Sequence, residues 1–220
     1  MKRIITILLS FLFISFQTVK AEIGIGLTAA GHFLEVSGTE TTRESDEKNN
    51  GSHEETAVVP ELFIEAIADS GSAFGVSYIP VRELGSKKRT DTSTTGDGQD
   101  TGTYTAKAEL DNVILIYADL AMTELAGSTV YAKVGLQHAT IATLESLNSG
   151  STYPDQDVLG FTLGLGAKGD LNFGNNLYYK VEAAYTDFED YKNDSTSSPA
   201  NRVEADLEDT SVKLSIGYKF

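Results

Sequence analysis

The chain ends Val212-Lys213-Leu214-Ser215-Ile216-Gly217-Tyr218-Lys219-Phe220, with apolar side chains at every second position and Lys213, Ser215, Gly217 and Lys219 between them. Successive side chains of a strand point to opposite faces. The stretch therefore reads as a β-strand with one greasy and one polar face, running to an aromatic last residue. The same alternation recurs upstream. Leu159, Phe161, Leu163, Leu165 and Ala167 oppose Gly160, Thr162, Gly164, Gly166 and Lys168. Leu177, Tyr179, Val181, Ala183 and Tyr185 oppose Tyr178, Lys180, Glu182, Ala184 and Thr186. Val130 to Leu136 alternate with Tyr131, Lys133, Gly135 and Gln137, and Val58 to Ala66 with Val59, Glu61, Phe63 and Glu65. A less regular segment sets Ala106, Ala108, Leu110, Ile114 and Ile116 on one face against Lys107, Glu109 and Asp111.

Eight strands are read in all: 22–37, 56–68, 73–84, 104–121, 128–144, 158–170, 177–188 and 205–220. The connections 69–72, 122–127 and 171–176 are short. Those at 38–55, 85–103, 145–157 and 189–204 are long and rich in Gly, Ser, Thr, Asn and Asp, a composition expected to remain outside any core. Short turns alternating with long loops are the pattern of an even-stranded transmembrane barrel, turns on the periplasmic side and loops outside. Tyr78, Tyr185 and Tyr218 fall near strand ends, where aromatic girdles sit.

At the other end, Lys2 and Arg3 precede an apolar run from Ile4 to Phe16, and Val19-Lys20-Ala21 supplies small residues where a signal peptidase reads. This predicts an exported chain with a cleaved segment 1–21 and a single domain 22–220. The run is about 13 residues long, short of the roughly 20 that a spanning helix needs. No later apolar run suits a helix either, so any membrane crossing must be made by a closed barrel. Removing the three basic residues of the leader (Lys2, Arg3 and Lys20) from a whole-chain charge of −15 leaves −18. That charge repels nucleic acid. The absence of Cys excludes disulfides and thiolate metal sites.

In its architecture and its aromatic C-terminal strand, the whole mature chain resembles the small outer-membrane barrels of the OmpA and OmpX type. The resemblance implies an all-β fold: an eight-stranded antiparallel up-and-down transmembrane barrel in a Gram-negative outer membrane, with no further domain after the last strand. It implies that Tyr218 and Phe220 belong to the signal read by the barrel-assembly machinery. It also implies a structural or adhesive role carried by acidic extracellular loops rather than chemistry, with no cofactor. The expected partners are membrane lipid, lipopolysaccharide and an unidentified partner of the loops. Three other readings stay open: a small passive pore, a soluble exported lipocalin-like binder with the faces inverted, and a lipid A-modifying enzyme.

With lipid outside, the charged faces look into the lumen, which eight strands leave just wide enough for side chains to fill. Glu61, Lys133, Glu182 and Lys213 come to similar heights, and Glu65, Lys168 and Lys180 share the inward face. Opposite charges buried together offset each other, whereas isolated ones cost several kcal/mol. These seven residues are therefore expected to interlock as a plug with Thr, Ser and Gln.

Other motifs carry less. Gly164-Leu165-Gly166-Ala167-Lys168-Gly169 has G-x-G-x-x-G spacing but lies inside a strand, without the helix a dinucleotide site requires. Its glycines make room for bulky lumen neighbours. Of His32, His53 and His138, His138 falls near the outer end of the fifth strand with Thr140 and Ser146 nearby in sequence, and no nucleophile–base–orienter set is visible. Acidic groups recur in the loops: Glu44, Asp46, Glu47; Asp91, Asp97, Asp100; Asp187, Glu189, Asp190, Asp194; and Glu204, Asp206, Glu208, Asp209. None completes a calcium loop; solvated loop charge is the expected reading, with loose divalent bridging to lipopolysaccharide phosphates as the functional alternative. Lys87-Lys88-Arg89 is the one basic run.

Overall fold

The computed structural model describes residues 21–42, 47–91, 102–146, 152–171, 176–196 and 200–220. The leader read over 1–21 lies outside these residues except for Ala21, which opens the first strand.

Ten strands form one antiparallel sheet: β1 (Ala21–Thr42), β2 (Glu47–Ala68), β3 (Ala73–Ile79), β4 (Arg82–Asp91), β5 (Gly102–Leu125), β6 (Ser128–Ser146), β7 (Gln156–Asp170), β8 (Leu177–Phe188), β9 (Tyr191–Asp194) and β10 (Arg202–Lys219). The last strand pairs with the first, so the sheet closes. β3 and β4 are one barrel strand interrupted at Pro80-Val81, and both pair with β5. β9 is a short extension pairing only with β10. The wall is thus the eight-stranded barrel expected, and each of the eight predicted segments lies within it.

The register fixes the shape. Moving straight across the ladders from Ile23 leads through Ala66, Phe74, Ala118, Val134, Leu163, Tyr185 and Thr210 back to β1 at Phe33. One circuit shifts the register by ten residues, which requires strands tilted by roughly 40°. The outward side chains of β1 are apolar over that same span, from Ile23 to Phe33. Ten residues at ~3.3 Å, so tilted, give a belt about 25 Å tall, the height of a bilayer's apolar band. Leu27, Leu62, Leu120, Leu165, Leu214 and Ile216 on the belt are each at least half exposed. The faces are therefore greasy side out at bilayer height, which overturns the inverted, soluble arrangement. Tyr78, Tyr185 and Tyr218 face outward among them.

Two expectations are corrected. The stretch 38–55 is strand at 38–42 and 47–55, and the stretch 85–103 at 85–91 and 102–103: β1 and β2 pair to Thr42↔Glu47, and β4 and β5 to Asp91↔Gly102. Backbone ladders satisfy polar groups whatever the side chains, so a polar hairpin extending an existing sheet needs no core of its own. The wall consequently continues roughly 20 Å past the belt, from Phe33 to Thr42. The second correction concerns β5. Asn112 sits at φ 51° in a bulge between Asp111 and Ile114, where β5 carries one residue more than β6. The extra residue reverses the pleat. Leu110 is fully buried inside, whereas Ile114 and Ile116 face lipid, so these residues do not share a face.

The β2–β3 ladder ends at Leu62↔Tyr78. Above it, β4 pairs with β5 alone and forms no ladder with the outer half of β2. Pro60 and Pro80 flank the point of departure, and neither can donate to a ladder.

Candidate functional site

The lumen is built in two layers. The lower layer, toward the short turns, holds five buried cations (Arg82, Lys133, Lys168, Lys180, Lys213) and five buried carboxylates (Glu61, Glu65, Asp119, Glu182, Asp209), with Arg82 and Asp209 at its upper edge. All seven charges named from the sequence face inward here. Lys213 meets Glu61 at 3.0 Å and Lys133 meets Glu182 at 2.7 Å. Lys180 lies between Asp119 at 2.6 Å and Glu65 at 2.8 Å. Lys168 is not drawn in. Its ammonium has no hydrogen-bond partner among the described residues and lies 5.5 Å from the Tyr131 ring centroid.

Sequence reading missed the tyrosines that complete the layer. Tyr131, Gly166 and Glu182 are direct cross-strand neighbours on β6, β7 and β8. The tyrosine lies over the glycine, and its hydroxyl donates to Glu182 at 3.0 Å. Tyr117, Gly75 and Glu65 repeat this on β5, β3 and β2, with Tyr117 donating to Glu65 at 2.7 Å. Tyr178 spans two glycines, Gly217 and Gly24, and reaches Glu65 at 2.9 Å. Phe63 over Gly26 and Phe188 over Gly160 are the apolar versions. At Gly24, Gly26, Gly75, Gly160, Gly166 and Gly217 the space left by the missing side chain is thus taken by an aromatic ring from another strand. A cavity at the centre, lined by Thr28, Glu61, Ser77, Lys133 and Glu182 among others, measures about 10 Å³, the space of a single water.

Above the charges lies an apolar core that the alternation did not announce, built from Leu34, Ile79, Leu84, Leu110, Val113, Ile141, Phe188 and Leu207 with smaller neighbours. Over it, Tyr153 and Asn201 both donate to Glu40 at 3.0 and 3.1 Å, drawing two extracellular connections across the mouth.

At the layer boundary His32 bridges Asp209 at 2.8 Å and Glu61 at 2.9 Å, beside Arg82. Asp209, counted in the sequence among the loop charges, is instead a lumen residue on β10 and 3 % exposed. Strand parity alone could have signalled this, since Asp209, Ser211 and Lys213 share one face. His138, the histidine considered for chemistry, is exposed on the outer face, 3.9 Å from Asp157.

Outside the barrel, Glu54, Glu35, Glu208 and Asp187 stand directly opposite one another on four consecutive strands, exposed just above the apolar belt. Asp190 and Asp206 share a hydrogen bond higher up, which raises the Asp206 carboxyl above its ordinary range, while the Lys192 ammonium lowers that of Asp190. Among the described residues, no three acidic or histidine side chains come together as a metal site. Glu44, Asp46, Asp97 and Asp100 lie outside those residues. At the periplasmic rim, Lys219 binds Asp170 at 2.7 Å, and the Phe220 amide donates to Ile23 at 2.9 Å. Tyr218 and Phe220 meet edge to face, ring centroids 4.9 Å apart, on the lipid side.

No protein-family model matches the sequence, and no curated protein matches it. Solved structures do. The outer membrane protein OprG from Pseudomonas aeruginosa superposes with a TM-score of 0.66 over 92% of this chain and 97% of its own, at 15% identity. The fold is that of a small outer-membrane β-barrel. Outer membrane protein AlkL, solved in lipid bilayers, follows at a TM-score of 0.50 and 12% identity, covering 94% of this chain and 93% of its own. At these identities the likeness concerns the barrel fold alone.

Proposed function

We propose that the chain is a closed, non-conducting barrel of the outer membrane whose work is done by the wall and hairpins standing outside the bilayer. The observation that carries this reading is the filled lumen. A charge-balanced lower layer with rings over its glycines is roofed by an apolar core, and among the described residues the central cavity measures about 10 Å³. The role is structural and interactive rather than chemical, with an outside partner engaging the acidic hairpins. The rim of Glu54, Glu35, Glu208 and Asp187 supports lipopolysaccharide as the lateral partner. Like charges directly opposite one another destabilise a sheet unless something offsets them, and divalent cations shared with lipid phosphates would do so at this height. The exposed Tyr218–Phe220 pair supports engagement of the barrel-assembly machinery.

The test is conductance of the refolded chain in a planar bilayer, with a heat-shifted gel band reporting the intact barrel. Silence from inserted barrels is expected. Reproducible steps that scale with salt would replace this reading with that of a small-solute pore.

A further inference from the structure

His32 faces charged groups from three strands. Its Nε2 lies 2.9 Å from Glu61 on β2, and Glu61 also accepts from Lys213 of β10 at 3.0 Å. Its Nδ1 lies 2.8 Å from Asp209 on β10 and 2.6 Å from Nη1 of Arg82 on β4. The same Nη1 donates to Asp209 at 2.7 Å. A guanidinium can only donate and a carboxylate can only accept. One ring nitrogen therefore has a donor and an acceptor within reach at once. The neutral ring, protonated on Nε2, donates to Glu61 and accepts from Arg82. The imidazolium donates to Glu61 and Asp209 and presents only like charge to Arg82. Each protonation state has its own complete set of partners.

Arg82 is the first residue of β4, the strand with no ladder to β2. It is buried, and its Nε and Nη2 have no hydrogen-bond partner among the described residues, so its polar hold on the lumen runs through Nη1. The five cations and five carboxylates balance while the ring is neutral. Histidine is the side chain whose charge changes between pH 5 and 8, and one added proton leaves this layer positive beside a strand laddered on one side only. We propose that His32 is a proton switch on the anchorage of β4: taking up one proton moves Nδ1 from Arg82 to Asp209 and loosens the seam between β4 and the outer half of β2.

The chain has no cysteine, so spin labels can be placed at will. One pair, Glu54→Cys with Ser86→Cys, spans the seam. A control pair, Ser37→Cys with Ser52→Cys, spans the continuous β1–β2 ladder, where these residues are direct partners. His53 packs against Gly85 of β4, so all distances are measured in a His53→Gln background. Between pH 7.5 and 5.5 the seam distribution should broaden and lengthen reversibly while the control stays fixed. His32→Gln, which cannot take up a proton, should abolish the response. A seam distance indifferent to pH, or a response that survives in His32→Gln, overturns the proposal. Should that variant not assemble, the imidazole nitrogen-15 spectrum of the unsubstituted barrel decides. Conversion of Nδ1 from unprotonated to protonated in step with the distance supports the switch, and a single protonation state across the range overturns it.

Discussion

Tyr131 lies over Gly166: a Cβ built on that glycine would stand 2.4 Å from the tyrosine ring. Gly166→Ala must therefore displace the ring or the strand. Overpacking of this kind costs about 1–3 kcal/mol, which urea unfolding of the refolded barrel would report. The cost should be largely recovered in the double variant with Tyr131→Ala, because the clash needs both partners. Strictly additive losses would show that ring and glycine are not coupled.

The Lys213–Glu61 pair invites the same treatment with opposite chemistry. Each single replacement, Glu61→Gln or Lys213→Met, leaves a buried charge without its main partner and should destabilise by about 3–5 kcal/mol. The double variant should lose clearly less than the sum, although His32 keeps an interest in Glu61 at 2.9 Å. Unfolding midpoints that simply add would remove the interlocked lumen as a source of stability.

What the sequence made legible follows from period two. Wherever inward and outward residues differ in polarity, as along Val212–Phe220 and Leu159–Lys168, strand, face and lumen placement could be read directly. Parity fails at Asn112, where one unpaired residue reverses the pleat with no change in composition to mark it. It is also silent on which strands touch. Tyr131, Gly166 and Glu182 are spread over 51 positions and meet only through register. The apolar roof escaped for another reason: Leu34, Leu84 and Leu207 lie within segments read as strands but point inward, where the alternation leads one to expect polar side chains. His32 could be placed on the inward face by parity, but its three partners come from three other segments.

The Asp190–Asp206 hydrogen bond gives the outer hairpin a pH dependence whose sign can be worked out. The raised Asp206 carboxyl favours the folded arrangement fully below the ordinary carboxylate range and loses that contribution as pH rises through its raised value. The lowered Asp190 behaves oppositely: its bond to Lys192 contributes at neutral pH and is lost as pH falls through its depressed value. Amide-exchange protection of β9, corrected for intrinsic rates, should therefore pass through a maximum in mild acid. Asp206→Asn keeps a hydrogen-bond donor but cannot ionise, so it should hold that protection up to neutral pH. Identical profiles for the two proteins would discard the shared-proton account.

Asn112 is the most economical probe of the barrel's organisation, because one residue there sets the phase of all of β5 above it. Its backbone at φ 51° suits Gly or Asn and penalises a β-branched residue. Asn112→Gly should assemble with stability within about 1 kcal/mol of the parent, the scale of glycine's backbone cost. Asn112→Val should be destabilised by about 1–3 kcal/mol through strain. Deleting Asn112 is a different kind of change. Without the bulge, the pleat would turn Leu110 to the outside and carry Lys107, Glu109 and Asp111 toward the apolar roof, where unpaired charge costs several kcal/mol each. The deletion should abolish the heat-shifted gel band of the folded barrel while both substitutions retain it. If the deletion variant folds and Leu110 remains protected from solvent, then the bulge is incidental and something other than pleat phase holds the roof in place.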